Sequence, residues 1–345
     1  MAMANWTIVN YRGVNNSQDN GTLAFTEYNQ ETKQLKSMFD PDSTYLQTIR
    51  FYFKANQMGL LDPDSVTQKF DNVLNKLNDG RLLTAYWGWM AATFNGSPLV
   101  EANPLAGMIP VFPKKEARLF LSPNSPVGRE FVWSVGAKTQ YADRIVSLLN
   151  FAATARGAAE LMNGVEGTDW SIVDGKAQFL GDNLEKFVTN DPTVKYIGMY
   201  EPMCLMSPWN VDPRTGEPIN RTCWSQVIRR NLRESEKQWA EANGVLNAFD
   251  FASKNLVTVQ HDAVSNMTSA PPDNIKIIQQ KLAELAKAQS WKMIYAKSEA
   301  EFESLLQELL EKAQGLGSET NFEWAQNELA AAKEKAGKYV EFNVN

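Results

Sequence analysis

The chain has a single histidine, His261, among 345 residues. That scarcity excludes a two-histidine zinc site and leaves one imidazole for any nucleophilic scheme, where a lone histidine is far more often an ordinary polar residue than a catalyst. Cysteine is nearly as rare. Cys204 and Cys223 are the two present, too few for a disulfide framework or a multi-cysteine metal site. They form either one bridge closing a short loop or two ordinary thiols. Nowhere does an apolar run approach the roughly 20 residues that a bilayer span requires. The start, "MAMANWTIVNYRG", lacks the basic and apolar regions of a signal peptide, so it reads either as a cytosolic start or as one that is not the natural start. Basic charge is in deficit as well. A net charge of −6 and a pI near 5.2 argue against nucleic-acid and anionic-membrane partners. Phosphate-loop, dinucleotide and GxSxG signatures are missing. "WSVGAKTQ" resembles a phosphate loop superficially, but it lacks the first glycine at the required spacing, and Ala137 separates Gly136 from Lys138.

What the chain does have is ordinary globular composition, 43% hydrophobic and 21% charged, with ten tryptophans. Its length suits two domains. Caps and apolar stripes mark several helices. Ser65 with Gln68 predicts a capping box before Phe70, Val73, Leu74 and Leu77, with Gly80 as the stop. Ser298 with Glu301 predicts another, ahead of Phe302, Leu305, Leu306, Leu309 and Leu310, closed by Gly315. Leu46, Ile49 and Phe53 make a third stripe, and Ile145, Leu148, Leu149 and Ala152 a fourth. Between the helices, "RLLTAYWGW", "GMIPVF" and "REFVWSV" read as strands. The pattern is α/β in the first half and helix-rich in the second.

The positive chemical signal is aromatic. If "LLTAYWGW" is a strand, Trp87 and Trp89 share one face and Tyr86 takes the other. Trp133, Trp209 and Trp224 also fall in or beside strands and loops. Taken singly, each fits a core position. As a group they predict that at least two serve a ligand, because the C–H face of a pyranose stacks on indole. Most carboxylates lie on amphipathic helices such as "EAEFESLLQELLEK", the solvated face of which explains them.

"FKANQMGLLDPDSVTQKFDNVLNKLNDGRLLTAYWGW", the stretch from "REFVWSV" to "IVDGK", and the helices beginning "QSWKMIYAKSEAEF" resemble, in that order, segments of bacterial extracellular solute-binding proteins of ABC transporters, family 1. The resemblance implies the type II two-lobe periplasmic-binding-protein fold, without its N-terminal portion. Residues 1–105 would belong to the C-terminal lobe, 106–190 would cross into the N-terminal lobe, and 191–345 would return as an α-rich region. It also implies a carbohydrate ligand, an oligosaccharide, held in an interlobe cleft. Trp89 is its first stacking candidate, then Trp87 and Tyr86. Trp133 on a crossing strand, Arg129 beside it and Trp209 in a loop follow. The implied partner is the transporter permease, with a lipid anchor the only membrane attachment, outside the cell or in the periplasm. No metal, cofactor or catalysis is expected. The alternatives are a carbohydrate-active hydrolase using two carboxylates and a structural fragment without a ligand.

Overall fold

The structure, a computed structural model, describes residues 14–16, 23–29, 32–84, 88–103, 105–112, 118–121, 134–189, 211–255, 257–260 and 267–337, with single positions at 191, 193 and 264. The chain opens with an antiparallel sheet of β1 (Val14–Asn16), β2 (Thr26–Asn29) and β3 (Leu35–Ser37), with Val14 opposite Asn29 and Thr26 opposite Ser37. Helices α1 (Thr44–Gln57), α2 (Phe70–Asn78), α3 (Gly88–Asn95) and α4 (Pro98–Ala102) come next, then strand β4 (Arg118–Leu121). The middle carries α5 (Ala142–Ala152), α6 (Ala155–Asn163), the hairpin β5 (Trp170–Val173) and β6 (Lys176–Phe179), α7 (Asn183–Val188), and the short pair β7 (Val211–Asp212) and β8 (Glu217–Pro218). Helices α8 (Ser225–Asn231), α9 (Glu234–Asn243) and α10 (Ala248–Asn255) lead to β9 (Val257–Gln260). Three long helices end the described chain: α11 (Asp273–Ile294), α12 (Glu299–Gly315) and α13 (Ser318–Ala336).

Two compact units result. The first gathers Met1–Asn103, Pro110–Val127 and Ala252–Asn345; the second is Pro104–Ile109 with Gly128–Phe251. β4 and β9 pair in parallel within the first unit, Arg118 opposite Val257. Parallel strands need a long crossover, and here the main segment of the second unit supplies it.

In the first unit, Ser43 caps α1 by accepting the Leu46 N–H at 3.2 Å. Glu27 of β2 adds a buried carboxylate at the same helix end, accepting the Tyr45 N–H at 3.0 Å and the Thr44 hydroxyl. A carboxylate suits the positive end of the helix dipole. Leu46, Ile49 and Phe53 face inward as their spacing predicts, against Leu282, Met293, Phe302 and Leu309 of the C-terminal helices. The Phe53 and Phe302 rings lie 4.7 Å apart. At α12, Ser298 accepts the Glu301 N–H, while the Glu301 carboxylate reaches back to the Lys297 N–H. The expected box therefore forms, one residue wider. Burial pushes the Tyr45 hydroxyl up to about 12, against the opposing effect of its 2.7 Å bond to Ser290.

The sequence expectations are corrected at several elements. The α2 helix starts at Phe70, not Ser65. Ser65 instead donates to the Asp62 carbonyl at 2.6 Å inside a turn, and Asn72 caps Lys69 by accepting its N–H. Asp62 and Asp64 both hold Lys76 at 2.8 Å, which fixes that turn and leaves no helix to extend through it. Of the α2 stripe, Leu77 is buried while Phe70 stays 48% exposed. On α5, Ala152 is buried and Leu148 remains 47% exposed. "GMIPVF" is irregular, since Pro110 removes a ladder donor. In "REFVWSV", Ser134 and Val135 are not strand, and the rest lies outside the described residues. In "RLLTAYWGW", residues 81–84 are irregular and 88–89 are helical, so no strand forms at either end.

The second unit is organised around two tryptophans. Trp170 and Trp224, each 1% exposed, pack with Phe179, Ile219 and Val227. Trp170 sits at the head of a hairpin closed by Asp174 and Gly175, at φ of 50° and 71°. Positive φ at both central residues matches the right-handed twist of the strands, which is why Asp-Gly occupies this turn. Buried polar groups seal the rest. Asn163 donates to the Ile219 carbonyl at 2.7 Å and accepts the Arg221 N–H at 3.0 Å. Glu217 accepts the Ala177 N–H, the Ser225 N–H and the Ser225 hydroxyl. Between α5 and α6 the backbones pass so closely that a Cβ on Gly157 would stand 1.9 Å from the Phe151 carbonyl oxygen.

Candidate ligand-binding site

The aromatic segment leads into α3. Met90, Ala91 and Ala92 are good helix formers. The helix ends at Asn95, where the Ser97 N–H closes on the Phe94 carbonyl at 2.8 Å. Ser97 then stands before Pro98 at the first position of α4, where a missing N–H costs nothing. Gly80, ending α2 at φ of 69°, lets Leu99 and Phe94 come within 3.4 and 3.9 Å of where its Cβ would be. So α2, α3 and α4 form one packed corner.

Within α3, Met90 and Phe94 share the buried face, four residues apart. Position 89 lies about 100° around the helix from Met90, one turn before exposed Thr93. Position 89 is therefore helical where a strand was expected, and the Trp89 side chain lies outside what the structure describes. Tyr86, Trp87, Arg129, Trp133 and Trp209 lie outside the described residues, as do Cys204 and His261. Of the expected site residues, the backbone of Trp89 is the one part that falls within the described residues. Trp224 is removed from the ligand group. Its indole N–H donates to the Pro218 carbonyl at 3.1 Å within the core of the second unit.

The polar groups near that core are held by one another. Arg214 binds Asp212 through two of its nitrogens and reaches Glu166 at 2.8 Å, its guanidinium 5.9 Å from the Trp170 ring. Burial pushes the Asp212 carboxyl up, but the Arg214 guanidinium and backbone N–H outweigh it and hold the group below the ordinary carboxylate range. Arg214 is correspondingly raised by its bonds to Asp212. Burial lifts the thiol of Cys223, which is free and half-buried. Among the described residues, no group of three or more His, Cys, Asp or Glu is placed to hold a metal ion. No helix of the described residues is long and apolar enough to cross a membrane.

One aromatic pair escaped the sequence reading. On α9, Trp239 is half-buried and packs on Phe251 of α10, with centroids 5.6 Å apart and planes inclined by 56°. The signal was a lone large apolar residue in the otherwise polar run "ESEKQWAEAN".

The fold these elements build is that of a solute-binding protein. The chain is similar to a solved structure described as "HMO binding ABC-transporter associated Solute Binding Protein", from Bifidobacterium longum infantis ATCC 15697, with a TM-score of 0.51 and 15% identity over 95% of this chain. It spans 61% of that protein's chain. No family model matches, and a search of curated proteins found no match.

Proposed function

We propose that the chain is the substrate-binding component of an ABC importer and holds a carbohydrate, an oligosaccharide, by aromatic stacking and polar contacts. The observation that carries this reading is the solute-binding-protein fold, found in a solved protein whose description names it HMO binding. The topology supports it, because the main segment of the second unit, Gly128–Phe251, is inserted between two strands paired in parallel. Trp89, at the start of α3, is the leading stacking residue. Trp87, Tyr86, Trp133, Arg129 and Trp209 complete the proposed contact set, the permease is the proposed partner, and the proposed location is extracellular or periplasmic.

Titration calorimetry with a panel of oligosaccharides, followed by chromatography of the recovered sugars, tests the proposal. The expected result is binding of at least one sugar, recovered unchanged. Trp89→Ala should then weaken it by about 1–3 kcal/mol while the melting temperature holds. Shortened sugars would replace the receptor reading with the hydrolase one, and a panel without binding would sink both.

A further inference from the structure

We infer that Asn243 is a self-modification site of the second unit. Its side-chain amide is lost by attack of the Gly244 backbone nitrogen, leaving aspartate or isoaspartate at the end of α9. The reaction needs no ligand and is independent of the receptor reading above. Asn-Gly pairs occur at 20–21, 95–96, 163–164 and 243–244, and the last three lie within the described residues. Glycine is the least hindered neighbour for this attack, since no Cβ stands beside its nitrogen. The local sequence is thus equal at these three pairs, and the fold decides between them. Asn163 is fully buried, donating to the Ile219 carbonyl and accepting the Arg221 N–H. Turning its carboxamide toward the Gly164 nitrogen would break both bonds. Asn95 is buried at the end of α3, in the packed corner with α2 and α4. Asn243 differs. It and Gly244 are exposed, and nothing stands within 4 Å of where a Gly244 Cβ would be.

The helix itself creates the vulnerable pair. Gly244 ends α9 in the left-handed conformation, at φ of 63°, which glycine adopts without strain. Asn243 is therefore the last helical residue, in the turn where helices fray. The Gly244 N–H closes on the Glu241 carbonyl at 3.2 Å, and the Asn243 amide donates to the Trp239 carbonyl at 2.7 Å. Fraying of that turn releases both. The Gly244 nitrogen, its proton passed to hydroxide, then bonds to Cγ of Asn243. The Cγ–Nδ2 bond breaks, and ammonia leaves with a proton taken from water. Water opens the resulting cyclic imide at either carbonyl. The sum is amide plus water giving carboxylate plus ammonium. The new charge falls at the negative end of the α9 dipole. Isoaspartate also reroutes the backbone through the side chain, just before the joint at which Trp239 packs on Phe251 of α10.

The test incubates the whole folded chain in mildly alkaline buffer made with heavy-oxygen water, and maps its peptides by mass spectrometry over time. Label should enter at Asn243 at least about tenfold faster than at Asn95 and Asn163, because a fraying end opens at little cost and buried groups need wider unfolding. The rate should rise with pH, as an attacking amide that must lose its proton requires. Asn243→Gln should end labelling at that position. In concentrated guanidinium chloride the three sites should converge, which isolates the contribution of the fold. Labelling of Asn243 no faster than that of the two buried sites overturns the inference. A preference for Asn243 that persists undiminished in denaturant overturns it too, since the fold would not be its cause.

Discussion

The two units solve the same problem with different materials. The first unit buries long apolar stripes contributed by helices far apart in sequence, such as Ile49 of α1 and Phe302 of α12. The second has short elements, and it closes its tryptophan core with buried polar side chains, namely Asn163, Asp212 and Glu217. Apolar stripes tolerate imprecision, because dispersion and burial are non-directional. Hydrogen-bonded seals do not, because a missing partner leaves a buried group unsatisfied. The second unit should therefore be the more sensitive to conservative polar changes, and the first to loss of volume.

The largest effect should come from Phe302→Ala, which empties space beside Phe53 and should cost about 3–5 kcal/mol in urea unfolding. If the units melt separately, only the transition of the first should move. Gly157→Ala is next. With the Phe151 carbonyl 1.9 Å from the added carbon, the α5–α6 corner must shift, at about 3 kcal/mol. A calorimetric trace with the second unit's transition unmoved would show that the corner relaxes freely.

Glu217→Gln keeps the shape but turns one acceptor into a donor facing the Ala177 N–H. It should cost about 1–3 kcal/mol, more than the same exchange at any exposed glutamate of α12. Equal effects at both places would erase the contrast between the units.

Acid gives a smaller, directional effect. The folded Asp212 carboxyl lies below its unfolded value of about 3.9. The unfolded chain thus takes up protons first, so the contribution of this clamp is complete above that value and is lost as pH falls through the folded one. In Asp212→Asn, the urea midpoint should fall less steeply below about pH 4. A slope identical to wild type would remove Asp212 from the acid response. Smallest of all is Arg230→Ala, which breaks a two-pronged pair with Glu185 on the surface. No measurable change in melting is expected, as exposed ion pairs contribute little.

How much of this was legible follows the same division. The α1 and α12 helices could be read from their stripes, and α12 also from Ser298 with Glu301, because capping and period-3.6 burial are local signals. The Ser65 box failed because Lys76, eleven residues on, clamps Asp62 and Asp64 into a turn that no local pattern announces. "YWGW" read as strand because aromatics favour strands, yet the Met-Ala-Ala run after it and the packing of Phe94 beside Gly80 favour helix. The hairpin at Asp174–Gly175 carried its own signal, a "DG" between alternating residues, which the family resemblance absorbed without reading. Trp224 offered no clue that it was core, since Pro218 and Ile219, which enclose it, belong to a short strand pair and a turn. As for the candidate site, the sequence named the aromatics but could not place them, and Trp239 was hidden by its polar helix.

The parallel pairing of β4 with β9 also dictates a timetable. The chain emerges from the ribosome at about 5–20 residues per second, so β4 waits on the order of ten seconds for its partner. The second unit, most of which is the continuous segment Gly128–Phe251, can meanwhile fold on its own local contacts. The first unit is born in pieces, and α1 must also hold its apolar face open until α11 and α12 arrive. Nascent chains stalled after Phe251 should thus contain one finished unit and one unfinished, the latter being the natural client of a chaperone.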